Sequence, residues 1–228
     1  MLVGMAVWAA YTWPTRVPAL VPSASVAAPF PQTSALTQRI VVAHLESIPL
    51  LLPVPLSAMT ALAYEPVDST IAVPFAPAGG RGNPSGLSGA LAEVLSGGGM
   101  HYYTMAGDSS ADSPPTGGLQ VGAIPGTTVY APADGQVTAV TQYELLGRYP
   151  DTEVDVRLAA DSSIVLAIIH VAHPQVTIGE AVMAGETVLG SVRGFPPQLE
   201  QPLRQFTTDD GDHVELVAER VPLRPSGS

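Results

Sequence analysis

The sequence predicts an all-β fold: an antiparallel β-sandwich or barrel-sandwich-like domain preceded by Pro-rich and Gly-rich linkers. Three observations carry this expectation. From Met100 onward, short apolar runs alternate with polar residues, and Gly or Asp punctuates them at regular intervals. Pro (23) and Gly (22) occupy about a fifth of the 228 positions, which favours turns and short elements over long helices. Helical periodicity is nearly absent in this half, apart from Pro197 to Phe206, where a short helix fits.

The remaining chain divides by composition. Residues 1–13 (MLVGMAVWAAYTW) are apolar. As a helix they would rise about 20 Å, short of the roughly 30 Å hydrocarbon core of a bilayer. They also lack a basic leading region. Either they form a buried or frayed segment, or they are the remnant of a membrane anchor or export signal. The Pro/Ala/Ser run that follows favours the second reading. Residues 14–38 are that run. Pro fixes φ and removes amide donors there, so an extended linker is expected.

Residues 39–77 alternate apolar stretches with Pro, as an extended or β segment. Ile40 to Val42 and Ile71 to Val73 read as short strands. Leu50 to Leu56, interrupted by Pro53 and Pro55, reads as an edge strand or extended run. Met59 to Tyr64 fits either one short helix or a strand. Residues 78–99 are a Gly-rich linker with a short helix expected at Leu87 to Leu95. No Gly-Lys-Ser/Thr accompanies those glycines, so a phosphate loop is excluded. The β-domain proper is expected over residues 100–222, with a tail at 223–228.

Composition also excludes chemistry. There is no Cys, hence no disulfide, thiolate nucleophile or Cys-bound zinc. The formal charge of −11 repels phosphate backbones and anionic surfaces, so no nucleic-acid partner is expected.

Two phrases in the β-rich half are specific. Pro125-Gly126-Thr127-Thr128-Val129-Tyr130-Ala131-Pro132-Ala133-Asp134-Gly135-Gln136-Val137 is the first, and Val176-Thr177-Ile178-Gly179-Glu180-Ala181-Val182-Met183-Ala184-Gly185-Glu186-Thr187-Val188-Leu189-Gly190 is the second. In each, Gly turns release a strand and receive the next, as in a fold built from two similar halves. Biotinyl and lipoyl carrier domains use such a pair, but they present a modified Lys, and this chain has none.

With His170 ending a strand before the second phrase, and Asp212-His213-Val214-Glu215 opening a closing strand, the chain resembles the lysostaphin-type murein zinc endopeptidases. The resemblance covers about 120 residues and implies a zinc site. In that family, zinc is held by a His-x-x-x-Asp motif and by the second His of a closing His-x-His strand. The first His of that strand and the strand-end His flank the bound water or the substrate oxyanion.

Carried over by position, the resemblance implies that His170 and His213 are the remnant accessory pair. Asp108 stands for the family's Asp, but Thr104 occupies the place of its His. Glu215 replaces the second liganding His, and His101, seven residues before Asp108, is the remaining candidate ligand. A site of Asp108, Glu215 and His101 leaves the ligand set degenerate, so no cofactor is expected, or zinc if the site is active. His213 and Glu215, two apart on a strand, should share a face.

The leading expectation is therefore a non-catalytic, extracytoplasmic cell-envelope protein that binds peptidoglycan or a wall or membrane partner, with attachment through the N-terminal apolar segment. One alternative is an active metallopeptidase cutting peptidoglycan cross-links through a non-standard zinc site. The other is a structural subunit of a membrane-attached assembly, in which Arg39 to Phe75 packs on a partner and the β-domain is scaffold, with Pro49 to Leu56 a candidate docking run.

Overall fold

The computed structural model describes residues 39–82, 100–105 and 114–221. Residues 1–38, the helix expected at Leu87 to Leu95, Asp108 and the C-terminal tail lie outside the described residues.

The described chain is all β, as the sequence predicts. Its strands are β1 (Val41–Leu45), β2 (Ile48–Leu51), β3 (Met59–Glu65), β4 (Phe75–Pro77), β5 (Gly80–Arg81), β6 (His101–Thr104), β7 (Gly118–Ala123) and β8 (Thr128–Tyr130). They continue as β9 (Gly135–Leu145), β10 (Tyr149–Leu158), β11 (Ile164–Ile169), β12 (Val171–Ala172), β13 (Ala181–Val182), β14 (Val188–Val192) and β15 (His213–Arg220). A 3-10 turn at Pro202–Phe206 stands where a short helix was expected.

Nine strands form one sheet in the order β13-β9-β10-β11-β15-β7-β3-β6-β5, and two three-stranded sheets, β2-β1-β4 and β12-β14-β8, accompany it. Pairing is antiparallel except at β3–β6 and β5–β6. One face of the large sheet shares a single core with both small sheets. Val42, Leu45 and Leu50 meet Leu62, Leu119, Leu166 and Leu216 there, along with Val129 and Leu189. Alternation explains the partition: Val214, Leu216 and Ala218 of β15 face that core, while Val217 joins Ala167 and Ile169 of β11 on the opposite face.

The two Gly-turn phrases pair with each other. Strand β8 of the first meets β14 of the second, and β9, which the first phrase enters, meets β13. This reciprocal pairing places the two phrases in related positions, as two similar halves require.

Two expectations for residues 39–77 are corrected. Strand β3 lies inside the large sheet, antiparallel to β7 and parallel to β6, so this stretch is part of the β-fold rather than a segment before it. The Pro49 to Leu56 run is not left for a partner either. Leu50, Leu52 and Val54 are buried in this chain's own core. The Leu51 amide donates to the Pro132 carbonyl and the Tyr130 amide to the Pro53 carbonyl, so the Pro-interrupted run zips along the first Gly-turn phrase. Pro is tolerated there because its carbonyl still accepts. Ile71 to Val73 forms only a single bridge, Ala72 with Glu219.

Candidate functional site

The outer face of the large sheet carries the polar residues. Strand β15 presents His213 and Glu215 from one face, in line with their two-residue spacing. His170 reaches them by a local departure from strand geometry. Ile169 pairs opposite Glu215 and lies on the outer face, so a regular strand would send His170 into the core. His170 instead takes a left-handed backbone, φ 67°, which resets the alternation. That conformation costs a non-glycine residue about 1–2 kcal/mol, and it brings its ring edge-on to His213 with centroids 5.2 Å apart.

Each imidazole is held through Nδ1. His170 Nδ1 lies 2.5 Å from Asp151 Oδ2. Asp151 also accepts from the Tyr143 hydroxyl at 3.1 Å and the Thr152 amide at 2.8 Å, and lies 3.1 Å from an Arg193 guanidinium nitrogen. Burial alone would raise the Asp151 pKa, but the hydrogen bond and charge of His170, with Arg193, outweigh it and hold the carboxyl below its ordinary value. His213 Nδ1 lies 2.8 Å from the Gly211 carbonyl. A carbonyl only accepts, so His213 carries its proton on Nδ1 and its lone pair on Nε2. Complete burial, followed by the neighbouring His170, pushes its pKa down to about 3, so it is neutral.

Phe195 closes the side of this pair. Its ring stacks on His213 at 5.2 Å and meets His170 edge-on at 4.8 Å, while the Arg193 guanidinium lies 4.9 Å from the Phe195 centroid. The Phe195 amide donates to Asp212 Oδ1 at 2.6 Å, which fixes the loop that carries it. A concavity of about 420 Å³ lies beside Asp151 and Arg193, walled by Tyr143, Val171 and His173.

Glu215 faces both the histidines and a second carboxyl. Its Oε2 lies 3.9 Å from His170 Nε2. On the other side it is hydrogen-bonded to Glu65 of β3, which accepts from Gln120 Nε2 at 2.7 Å. Two carboxyls can share a hydrogen bond only if one is protonated. Burial, then the charge of Glu65, raises the Glu215 pKa well above the ordinary range. Burial also raises Glu65, offset in part by hydrogen bonds to Gln120 and Glu215.

Of the residues singled out by sequence, His170, His213 and Glu215 come together, with potential ligand atoms all within 4.8 Å of one another. His101 does not join them. It sits on β6, separated from β15 by β3 and β7, so at about 4.8 Å per strand it lies roughly 14 Å away. Asp108 lies outside the described residues. Thr104 accepts a hydrogen bond from the Arg81 guanidinium at 2.6 Å. Among the described residues, the ligand set that the resemblance implies is therefore not assembled, because His101 lies apart from Glu215. Sequence reasoning missed Glu65, Gln120, Asp151, Arg193 and Phe195. They lie far apart in the chain and match no spacing rule; only the adjacency of their strands and loops reveals them.

No protein-family model matches the chain, and no curated protein does. Among solved structures, it is similar to a zinc-containing peptidase from Vibrio cholerae (16% identity, TM-score 0.34, covering 47% of this chain and 28% of that one). It is similar also to a protein described as peptidase M23 from Pseudomonas aeruginosa (25% identity, TM-score 0.33, 47% and 41%). Csd3 from Helicobacter pylori is a third (19% identity, TM-score 0.32, 50% and 26%). The chain spans less than half the length of each, and likeness at this level transfers no activity to it.

Proposed function

We propose that this chain is a non-catalytic cell-envelope protein whose degenerate metallopeptidase-like groove binds peptidoglycan. The observation that carries the reading is the placement of Glu215. It stands at the position of the second liganding His that the resemblance implies, but it meets His170 and His213 while His101 stays on β6, so the implied ligand set is not assembled.

The rest of the groove is ordered well enough to bind. Asp151 orients His170, Gly211 orients His213, and Phe195 supplies an apolar wall. Such a groove suits a peptide, with aromatic surface at Phe195 and Tyr143 for its side chains. The N-terminal apolar segment and its Pro-rich linker would hold this groove on the outer side of the membrane, within reach of the wall. A second reading, cleavage of peptide cross-links through a non-standard zinc site, is favoured by one observation, the convergence of His170, His213 and Glu215.

Co-sedimentation of the full chain with insoluble peptidoglycan tests the binding. The wild-type protein should pellet with the wall material, and Phe195→Ala or Tyr143→Ala should reduce the pelleted fraction several-fold. A protein that stays in the supernatant, or variants that pellet unchanged, would refute the groove as the binding surface.

A further inference from the structure

We propose that His170, His213 and Glu215 form a divalent transition-metal site of two imidazoles and one carboxylate, built on a different ligand set from the one the family resemblance implies. This goes beyond the wall-binding reading and does not depend on it. Counting ligands from the sequence alone leaves only Asp108, Glu215 and His101. The fold supplies another trio.

Three features of the cluster argue for it. The first is convergence. One potential ligand atom from each residue lies within 4.8 Å of the others, while donors about 2.0–2.2 Å from a tetrahedral metal sit roughly 3.3 Å apart. Closing that gap takes a shift of about 1–2 Å, within reach of side-chain rotation. The second is the state of the imidazoles. With Nδ1 of His213 on the Gly211 carbonyl and Nδ1 of His170 on the Asp151 carboxylate, each ring keeps Nε2 for a metal. A carboxylate or carbonyl behind each liganding His is the outer shell that metal sites use to fix ring orientation. The third is the carboxylate itself. Glu215 Oε2 lies 3.9 Å from His170 Nε2, and a metal ion bound there would displace the proton that Glu215 shares with Glu65.

The donor set selects the ion. Two imidazoles and one oxygen suit Zn²⁺ or Co²⁺, whereas Ca²⁺ and Mg²⁺ require a shell of oxygens that the cluster lacks. Three protein ligands leave a coordination position for a carboxylate or carbonyl of a bound peptide. The same arrangement makes ligands of both histidines that, in the family, flank the water and the oxyanion. Metal binding here is therefore compatible with an absence of hydrolysis.

The test is a titration of chelator-stripped full-length chain with Co²⁺, read by visible absorption, followed by displacement with Zn²⁺. One equivalent should bind with the intense bands of a tetrahedral or five-coordinate ion. His170→Ala, His213→Ala and Glu215→Ala should each weaken binding at least 10-fold, and Asp151→Asn about 10–100-fold through the orientation of His170. His101→Ala and His173→Ala should leave it unchanged. Because a buried substitution can unfold the chain, the wild-type imidazole proton resonances should be followed during a Zn²⁺ titration; those of His170 and His213 should shift together. Absence of binding, equal binding of Mg²⁺, or loss of binding in His101→Ala with His170→Ala unaffected would each overturn the proposal.

Discussion

Glu65 is the residue whose environment says most about the site. It ends β3 on the outer face, accepts from Gln120 and shares a hydrogen bond with Glu215. Removing it strands a buried amide donor, which costs about 1–3 kcal/mol. Glu65→Ala should therefore destabilise the chain by about that amount in urea unfolding. Glu65→Gln, which keeps an acceptor for Gln120 and reverses the bond to Glu215 so that the new amide donates, should stay within about 1 kcal/mol of wild type. Equal losses in the two variants would mean that volume, not the hydrogen-bonded carboxyl pair, matters at this position. His170 makes the complementary point about legibility. Its place in the chain marks it as a site residue, but strand alternation alone turns its ring into the core. The left-handed φ of 67° that redirects it leaves no trace in a period-two pattern.

Among the elements, those with one buried and one wetter face are the ones the sequence discloses. Strands β9, β14 and β15 carry alternating apolar residues between Gly and Asp turns, the pattern from which the sequence predicts a β-rich half. Strand β7 is buried on both faces and carries Gly118 and Gly122, so it offers neither alternation nor an apolar run. Strand β3 is ambiguous for a related reason. Leu62 and Tyr64 face the main core while Ala61 and Ala63 pack beneath Leu203 and Phe206, so both faces are apolar.

The glycines of the two phrases divide into two physical roles. Gly126 takes φ 85° in open space, so its function is the turn. A Cβ on Gly135 would lie 2.4 Å from the Arg157 carbonyl oxygen, so its function is close approach of β9 to β10. Gly135→Ala should consequently lower stability by about 3 kcal/mol or more, since backbone must move. Gly126→Ala should cost about 1 kcal/mol, from φ strain alone. Thermal unfolding of the two variants checks the order, and a larger loss for Gly126→Ala would contradict the close-approach role.

At the scale of the whole molecule, the boundary between segment and domain is set by the core rather than by composition. The Pro content of residues 39–77 suggests a run of extended chain outside the domain, yet β3 separates β7 from β6 and β1 supplies buried Val42 and Leu45. Pro identifies an edge or extended stretch but says nothing of what it packs against. A fragment of residues 100–221 lacks that strand and would expose the inner face of Leu119 and Val121 to water. It should show little near-UV dichroism and no cooperative thermal transition, whereas residues 39–221 should show both. A cooperatively folded 100–221 fragment would return residues 39–77 to the status of an appendage.

The groove is proposed to bind without cutting. The most direct test is to incubate the full chain, supplied with one equivalent of Zn²⁺, with purified peptidoglycan and to separate the soluble products by chromatography. His213→Ala and a chelator-treated sample serve as controls. No soluble peptide fragments above the controls are expected, because a metal on His170 and His213 occupies the two imidazoles that would otherwise hold water or oxyanion. Release of cross-link peptides that depends on both zinc and His213 would contradict this and make the chain a metallopeptidase with a rebuilt site.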